Sequence, residues 1–148
     1  MATEQERNKA LVLQMYDEVW NKGNIDFVNA AVAPGFKDHP LKRFYQLPTE
    51  GHAAISEAAS NFRGAITGLN YQMIQVVSEN DRVVSVGRVT GTHANNFFQV
   101  APSHKPINVT GFFEYRLENG KIVECWGGFD VMGLMQQMGM IPGAPGGH

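Results

Sequence analysis

A chain of 148 residues is long enough for one domain with a real core and too short for two. Its 43% hydrophobic and 18% charged residues fit an ordinary globular protein, and a formal net charge of −2 supplies no field that would gather nucleic acid or an anionic membrane. No apolar run approaches the roughly 20 residues that cross a bilayer, and a lone Cys125 excludes an intrachain disulfide or a cysteine-based zinc cage. The acidic, polar start of the chain is unlike a secretory signal, so cytoplasmic residence is expected.

Residues 3–22 predict a helix, with Thr3 and Glu6 spaced as a capping box and Gly23 as the stop. Leu11, Met15 and Val19 form its apolar stripe, flanked by Val12, Tyr16 and Trp20. A second, short helix starts at Asn24 and ends at Pro34-Gly35. Residues 36–50 lack periodicity and read as a long loop, the rim or lid of a pocket. A third helix is predicted over residues 51–67. Extended periodicity then predicts strands over 69–78, 82–96, 107–118 and 121–131, the last two joined by an Asn119-Gly120 hairpin turn. Residues 97–106 form a second rim loop. A terminal helix ends at Gly139, and a Gly/Pro tail over 142–148 follows a single domain of residues 1–141. Helices followed by hairpin-linked strands indicate an α+β domain, its helices on one face of an antiparallel sheet.

Strand alternation puts Trp126 and Asp130 on one face, with small Gly128 between them. That pattern fits the wall of a small-molecule cavity, and equally a solvated Asp beside a half-buried Trp.

Several tracts carry a resemblance: Gly91-Thr92-His93 closing a strand, and the run from Gly120 through Lys121, Glu124 and Trp126 to Asp130. The latter leads into Leu134-Met135-Gln136-Gln137-Met138-Gly139. Together with the helix exit at Tyr16–Asn24 and the Phe36-Lys37-Asp38-His39-Pro40 segment, they resemble the SnoaL-like polyketide cyclase (ester cyclase) family. This family is a branch of the nuclear transport factor 2-like superfamily. The resemblance covers nearly the whole chain. It implies a cone-shaped fold in which three N-terminal helices cover a strongly curved antiparallel sheet and enclose a cavity. It also implies acid/base chemistry, with Asp130 at the position of the general acid/base in an intramolecular aldol closure. The sequence carries no metal cluster, Gly-rich phosphate loop, nucleophile elbow or dinucleotide fingerprint, so any chemistry is expected to be cofactor-free. The chain departs from the family at Cys125, where many relatives have His, at Gly127-Gly128, and at Asn95-Asn96-Phe97-Phe98.

Each candidate residue has a second reading. Asp130 directly precedes the terminal helix and would serve as its N-cap. His93 could polarise a carbonyl or hold Asp130, or be a structural strand-end histidine. His39 stands where ketosteroid isomerases carry a catalytic Asp before Pro, with Asp38 just before it; a surface histidine is the alternative. Tyr16 matches a cavity-facing phenol of some superfamily members, or a core tyrosine. Arg116 shares a face with Asp130 if the hairpin carries a bulge, or is a surface arginine. Trp126 and Phe112 would shape the ligand, and Met132, Met135, Met138 and Met140 would pack the terminal helix.

The leading expectation is an enzyme performing proton transfer on a small hydrophobic carbonyl compound. The alternative is a module that binds a small molecule, or assembles as a dimer, without turnover. The cavity is expected to be lined by Trp126, Asp130, His93 and helix 1, and closed by residues 36–50. Val109, Phe113, Tyr115 and Val123 are expected on the opposite, uncovered face, as the interface of a homodimer.

Overall fold

Thr3 opens the first helix, and the computed structural model describes residues 1–142. The Thr3 side chain accepts from the Glu6 backbone and Glu6 reaches back to Thr3, the reciprocal pair that its spacing predicts. The α-helix α1 (Glu4–Met15) continues as a π-helical segment, Tyr16–Asn21. Gly23 ends it at φ +73°, and Arg63 donates to the carbonyls of Trp20 and Asn21 at 2.8 and 2.9 Å. A cation thus satisfies carbonyls that the helix end leaves free.

A short 3₁₀ turn (Ile25–Phe27) and α2 (Val28–Ala31) lead directly into β1 (Val32–Pro40). This strand falls where the sequence predicts the end of a helix and the start of a loop. Its Pro34, Gly35 and charged residues disguise it, and its place at the sheet edge is where proline is tolerated. The rest is α3 (Ala53–Ala65), β2 (Ile66–Glu79), β3 (Arg82–His93), β4 (Pro106–Glu118), β5 (Lys121–Phe129) and α4 (Val131–Gln137). The strand order is β1-β5-β4-β3-β2, with β1 parallel to β5 and the other pairs antiparallel. The architecture is therefore α+β as expected, but the sheet is mixed and does not close on itself. The loop after β1 is correspondingly shorter, residues 41–52. Past residue 142, the predicted Gly/Pro tail lies outside the described residues.

The inner face of the sheet is read most clearly on β4, where Ile107, Val109, Gly111, Phe113, Tyr115 and Leu117 alternate inward. α1 and α3 pack over this face. Between them Trp20, Phe62, Tyr71, Phe97 and Phe129 form the aromatic centre of the core, with ring centroids 4.9–5.5 Å apart for Trp20–Phe62, Trp20–Tyr71, Phe62–Phe97 and Phe62–Phe129. Burial of each such side chain contributes about 1.5–3 kcal/mol. On β5, Gly127 sits at φ +136°, and a Cβ there would lie 2.0 Å from the Phe112 carbonyl oxygen, so no larger residue fits.

The outer face carries Asn108, Thr110, Phe112, Glu114, Arg116 and Glu118 of β4. A bulge at Val123 shifts the hairpin register, pairing Arg116 with Glu124 and Leu117 with Ile122. One row crosses four strands as Val84, Glu114, Trp126 and His39. The expected dimer face is thereby corrected. Val109 and Tyr115 are buried and Phe113 packs against the same core, because helices cover the face they lie on. Among the described residues no helix is long and apolar enough to cross a membrane.

Candidate functional site

A cavity of about 60 Å³ lies between the helices and the inner face of the sheet. Helix 1 contributes Met15, Tyr16 and Trp20; β1 contributes Phe36, Asp38 and Pro40; the 41–52 loop contributes Leu41, Arg43, Tyr45 and Leu47. α3, β2, β4 and β5 complete the wall, with Phe62, Tyr71, Tyr115, Cys125 and Phe129 among their residues. That volume holds a few waters or a small ligand fragment.

The sheet register organises its polar groups. Asp38 pairs with Cys125, and Cys125 with Tyr115, so one row on the inner face reads carboxylate, thiol, phenol. Asp38 lies 3.8 Å from Arg43, and both side chains are about 15% exposed, 15% and 16%. Desolvation pushes the Asp38 carboxyl above its ordinary range, against the opposing pull of Arg43 and then His39. The Arg43 guanidinium also stacks over Tyr45 at 5.2 Å, and burial raises the Tyr45 phenol to about 12. Burial likewise raises the Cys125 thiol, which stays protonated and is a poor nucleophile.

At the helix side, the Tyr16 hydroxyl is hydrogen-bonded to Ser85 at 2.9 Å and to Tyr115. Burial raises the phenols of Tyr16, Tyr71 and Tyr115, so all three remain neutral donors near pH 7. Tyr16 belongs to the π-helical segment, a geometry that recurs at functional sites.

Of the residues the sequence singled out for the ligand site, only Tyr16 lines this cavity. Asp130 is exposed, and its side chain accepts from the Gly133 N–H at 3.0 Å as the N-cap of α4. Gly133 leaves room for this cap, since a Cβ there would lie 2.4 Å from Asp130 Oδ2 and would push the carboxylate aside. His93 is buried beneath the 94–105 loop, where its Nδ1 accepts from the Ser103 N–H at 3.1 Å. Its burial lowers its pKa, and it lies outside the cavity wall. The remaining four sit on the outer face. Trp126 stacks on His39 at 5.1 Å with Arg82 over the ring, also at 5.1 Å. Glu124 accepts from Arg116 at 3.0 Å and pairs with His39 at 2.7 Å, and its carboxyl is held low by His39 first and Arg116 next. Phe112 is 57% exposed.

Asp38, Arg43, Tyr45 and Tyr71 are cavity groups that the sequence did not single out for a role, and Tyr115, expected at a dimer face, lines the cavity instead. Asp38 was in view as the residue before His39, and a reading of 36–40 as a strand starting from buried Phe36 would have turned it inward. Among the described residues no three His, Cys, Asp or Glu side chains are grouped to hold a metal ion.

The model of the SnoaL-like polyketide cyclase family matches residues 10–138. A solved candidate SnoaL-like polyketide cyclase from Jannaschia sp. CCS1 is 26% identical, superposes with a TM-score of 0.81, and the match covers 96% of this chain and 98% of that one. A candidate polyketide cyclase from Acidithiobacillus ferrooxidans is 21% identical with a TM-score of 0.78, covering 94% and 99%. AclR from Streptomyces galilaeus, a candidate hydroxylase, is 23% identical with a TM-score of 0.81, covering 96% and 87%. No match was found among curated proteins.

Proposed function

The chain belongs to the SnoaL-like polyketide cyclase family, which supports a cyclase-type role, and we propose that it performs acid/base chemistry on a small hydrophobic carbonyl compound with Asp38 as the base. The observation that carries this reading is a carboxylate raised by desolvation on the wall of an apolar, aromatic cavity. Such a group combines basicity with a position inside the site.

In an intramolecular aldol closure, Asp38 would take a proton from the carbon next to a carbonyl. The electron pair of that C–H bond delocalises onto the carbonyl oxygen as an enolate. The enolate carbon then bonds to a second carbonyl carbon of the same molecule, whose π pair moves to its oxygen. The resulting alkoxide recovers a proton from the Asp38 carboxyl, so the base is regenerated. Neutral phenols of the Tyr16 cluster, which meets the Asp38–Cys125 row at Tyr115, favour the enolate by hydrogen bonding without ionising themselves. Arg43 keeps the carboxylate ionised enough to act.

Exchange of α-protons of small ketones in D₂O, followed by NMR, tests this reading without knowledge of the natural substrate. The wild-type protein should accelerate exchange, with a rate that rises through the Asp38 titration. Tight binding of ketones with no acceleration across a broad panel would favour a binding module instead.

A further inference from the structure

Three buried side-chain polar atoms among the described residues have no hydrogen-bond partner, on Asn8, Tyr71 and His93. Only Tyr71 also lines the cavity. It is 3% exposed, and an unsatisfied hydroxyl at that depth is costly.

The Tyr71 residue is firmly placed. Asn21 brackets its backbone, accepting from the Tyr71 N–H at 2.6 Å and donating to the Tyr71 carbonyl at 3.0 Å. Gly87 leaves room for the ring, since a Cβ there would lie 2.4 Å from Tyr71 Cε1. Tyr16 and Trp20 flank the ring at 4.6 and 5.2 Å. The ring is thus fixed at the cavity wall, and the hydroxyl group within its reach is that of Tyr16, which is already bonded to Ser85 and Tyr115.

Proton counting points the same way. Tyr16, Tyr71, Ser85 and Tyr115 bring one hydroxyl proton each, and the bonds of Tyr16 to Ser85 and to Tyr115 use two of them. Those two bonds leave two hydroxyl protons unused, Tyr71's among them, and the cluster itself holds no cation. Such a surface suits a carbonyl oxygen, which offers two lone pairs, and Arg43 on the cavity wall is already paired with Asp38, so a ligand carboxylate would lack a free countercharge there.

We propose that Tyr71 donates the hydrogen bond that anchors the ligand's carbonyl oxygen. Tyr16, already engaged twice, acts as a positioning residue behind it. The ligand is then an uncharged ketone or ester, its oxygen at the tyrosine wall and its acidic C–H toward Asp38. The proposal rests on the cavity assigned above and adds the orientation and charge class of what enters it.

Two probes of similar shape decide it, cyclohexanone and methylenecyclohexane, which differ by an oxygen in place of a CH₂ group. The ratio of the two affinities in the wild-type protein is the reference preference, because the hydrocarbon is the more easily desolvated of the pair. Tyr71→Phe should lower cyclohexanone affinity by roughly tenfold, about the worth of one hydrogen bond, and leave methylenecyclohexane unchanged or tighter. The same variant should melt at or above the wild-type temperature, because it removes an unsatisfied buried group. Asp38→Asn should retain the reference preference. An unchanged preference in Tyr71→Phe, or a lower melting temperature, overturns the proposal while the base assignment stands. Failure of both probes to bind the wild-type protein overturns the cavity reading and this proposal with it.

Discussion

The Asp38 carboxylate lies 3.8 Å from the Arg43 guanidinium, on the wall of a cavity whose other residues are mostly apolar. Burial raises the carboxyl and Arg43 holds it down, so the two effects together set the pH at which the group becomes a base. Arg43→Met removes the restraining charge. The acid limb of the pH–rate profile should move to higher pH, with the plateau reached later. A limb that stays in place, or moves down, would separate Arg43 from the titrating group.

The same shift makes a stability prediction. Folding raises the Asp38 pKa above its unfolded value, so between the two values the folded state binds more protons than the unfolded state. Asp38 therefore lowers stability as pH rises from about 3.8, its ordinary value, through the raised folded value, and the loss persists above it. Asp38→Asn cannot ionise. It should melt higher than wild type near pH 7, with the gap closing toward pH 3, as scanning calorimetry across pH would show.

Tyr16→Phe should destabilise by about 1–3 kcal/mol in urea, because Ser85 and Tyr115 lose their shared partner inside the core. The opposite sign is expected for Tyr71→Phe. Two buried tyrosines on touching rings thus give opposite responses to loss of the same hydroxyl.

On the outer face, Phe112 and Val84 are 57% and 41% exposed, beside the stacked Trp126 and its charged neighbours. We propose this face as the interface of a twofold dimer. Sedimentation at micromolar concentration should give about twice the chain mass, and Phe112→Glu should weaken association by at least roughly tenfold. A wild-type monomer would leave the face without that role.

The sequence reading put Trp126 and Asp130 on one face, joined by Arg116 if the hairpin carries a bulge, with Phe112 beside Trp126 at the ligand. The bulge is present, and Phe112, Arg116 and Trp126 do share a face. Period-two alternation determines which residues lie together, but not which side the helices cover. Trp126 drew the cavity to the wrong side because an aromatic usually marks the interior; here it is held by His39 and Arg82 instead. The β4 alternation was the better guide, with Ile107, Val109, Phe113, Tyr115 and Leu117 opposed by Asn108, Glu114, Arg116 and Glu118. The helices and hairpins were legible because capping residues, apolar stripes and an Asn-Gly turn act locally. β1 was not, since its pairing with β5 is made across 80-odd residues and leaves little local pattern. Losing β1 hid the inward turn of Asp38 and, with it, the site.

The most direct measurement compares Asp38→Asn with Asp130→Asn in the ketone α-proton exchange assay. Asp38→Asn should lower the exchange rate by roughly 10²–10⁴-fold, the usual worth of general acid/base catalysis, with cyclohexanone affinity largely kept. Asp130→Asn retains most of the capping ability and should change the rate by less than about threefold. A large loss in Asp130→Asn beside a near wild-type rate in Asp38→Asn would contradict the assignment of the base.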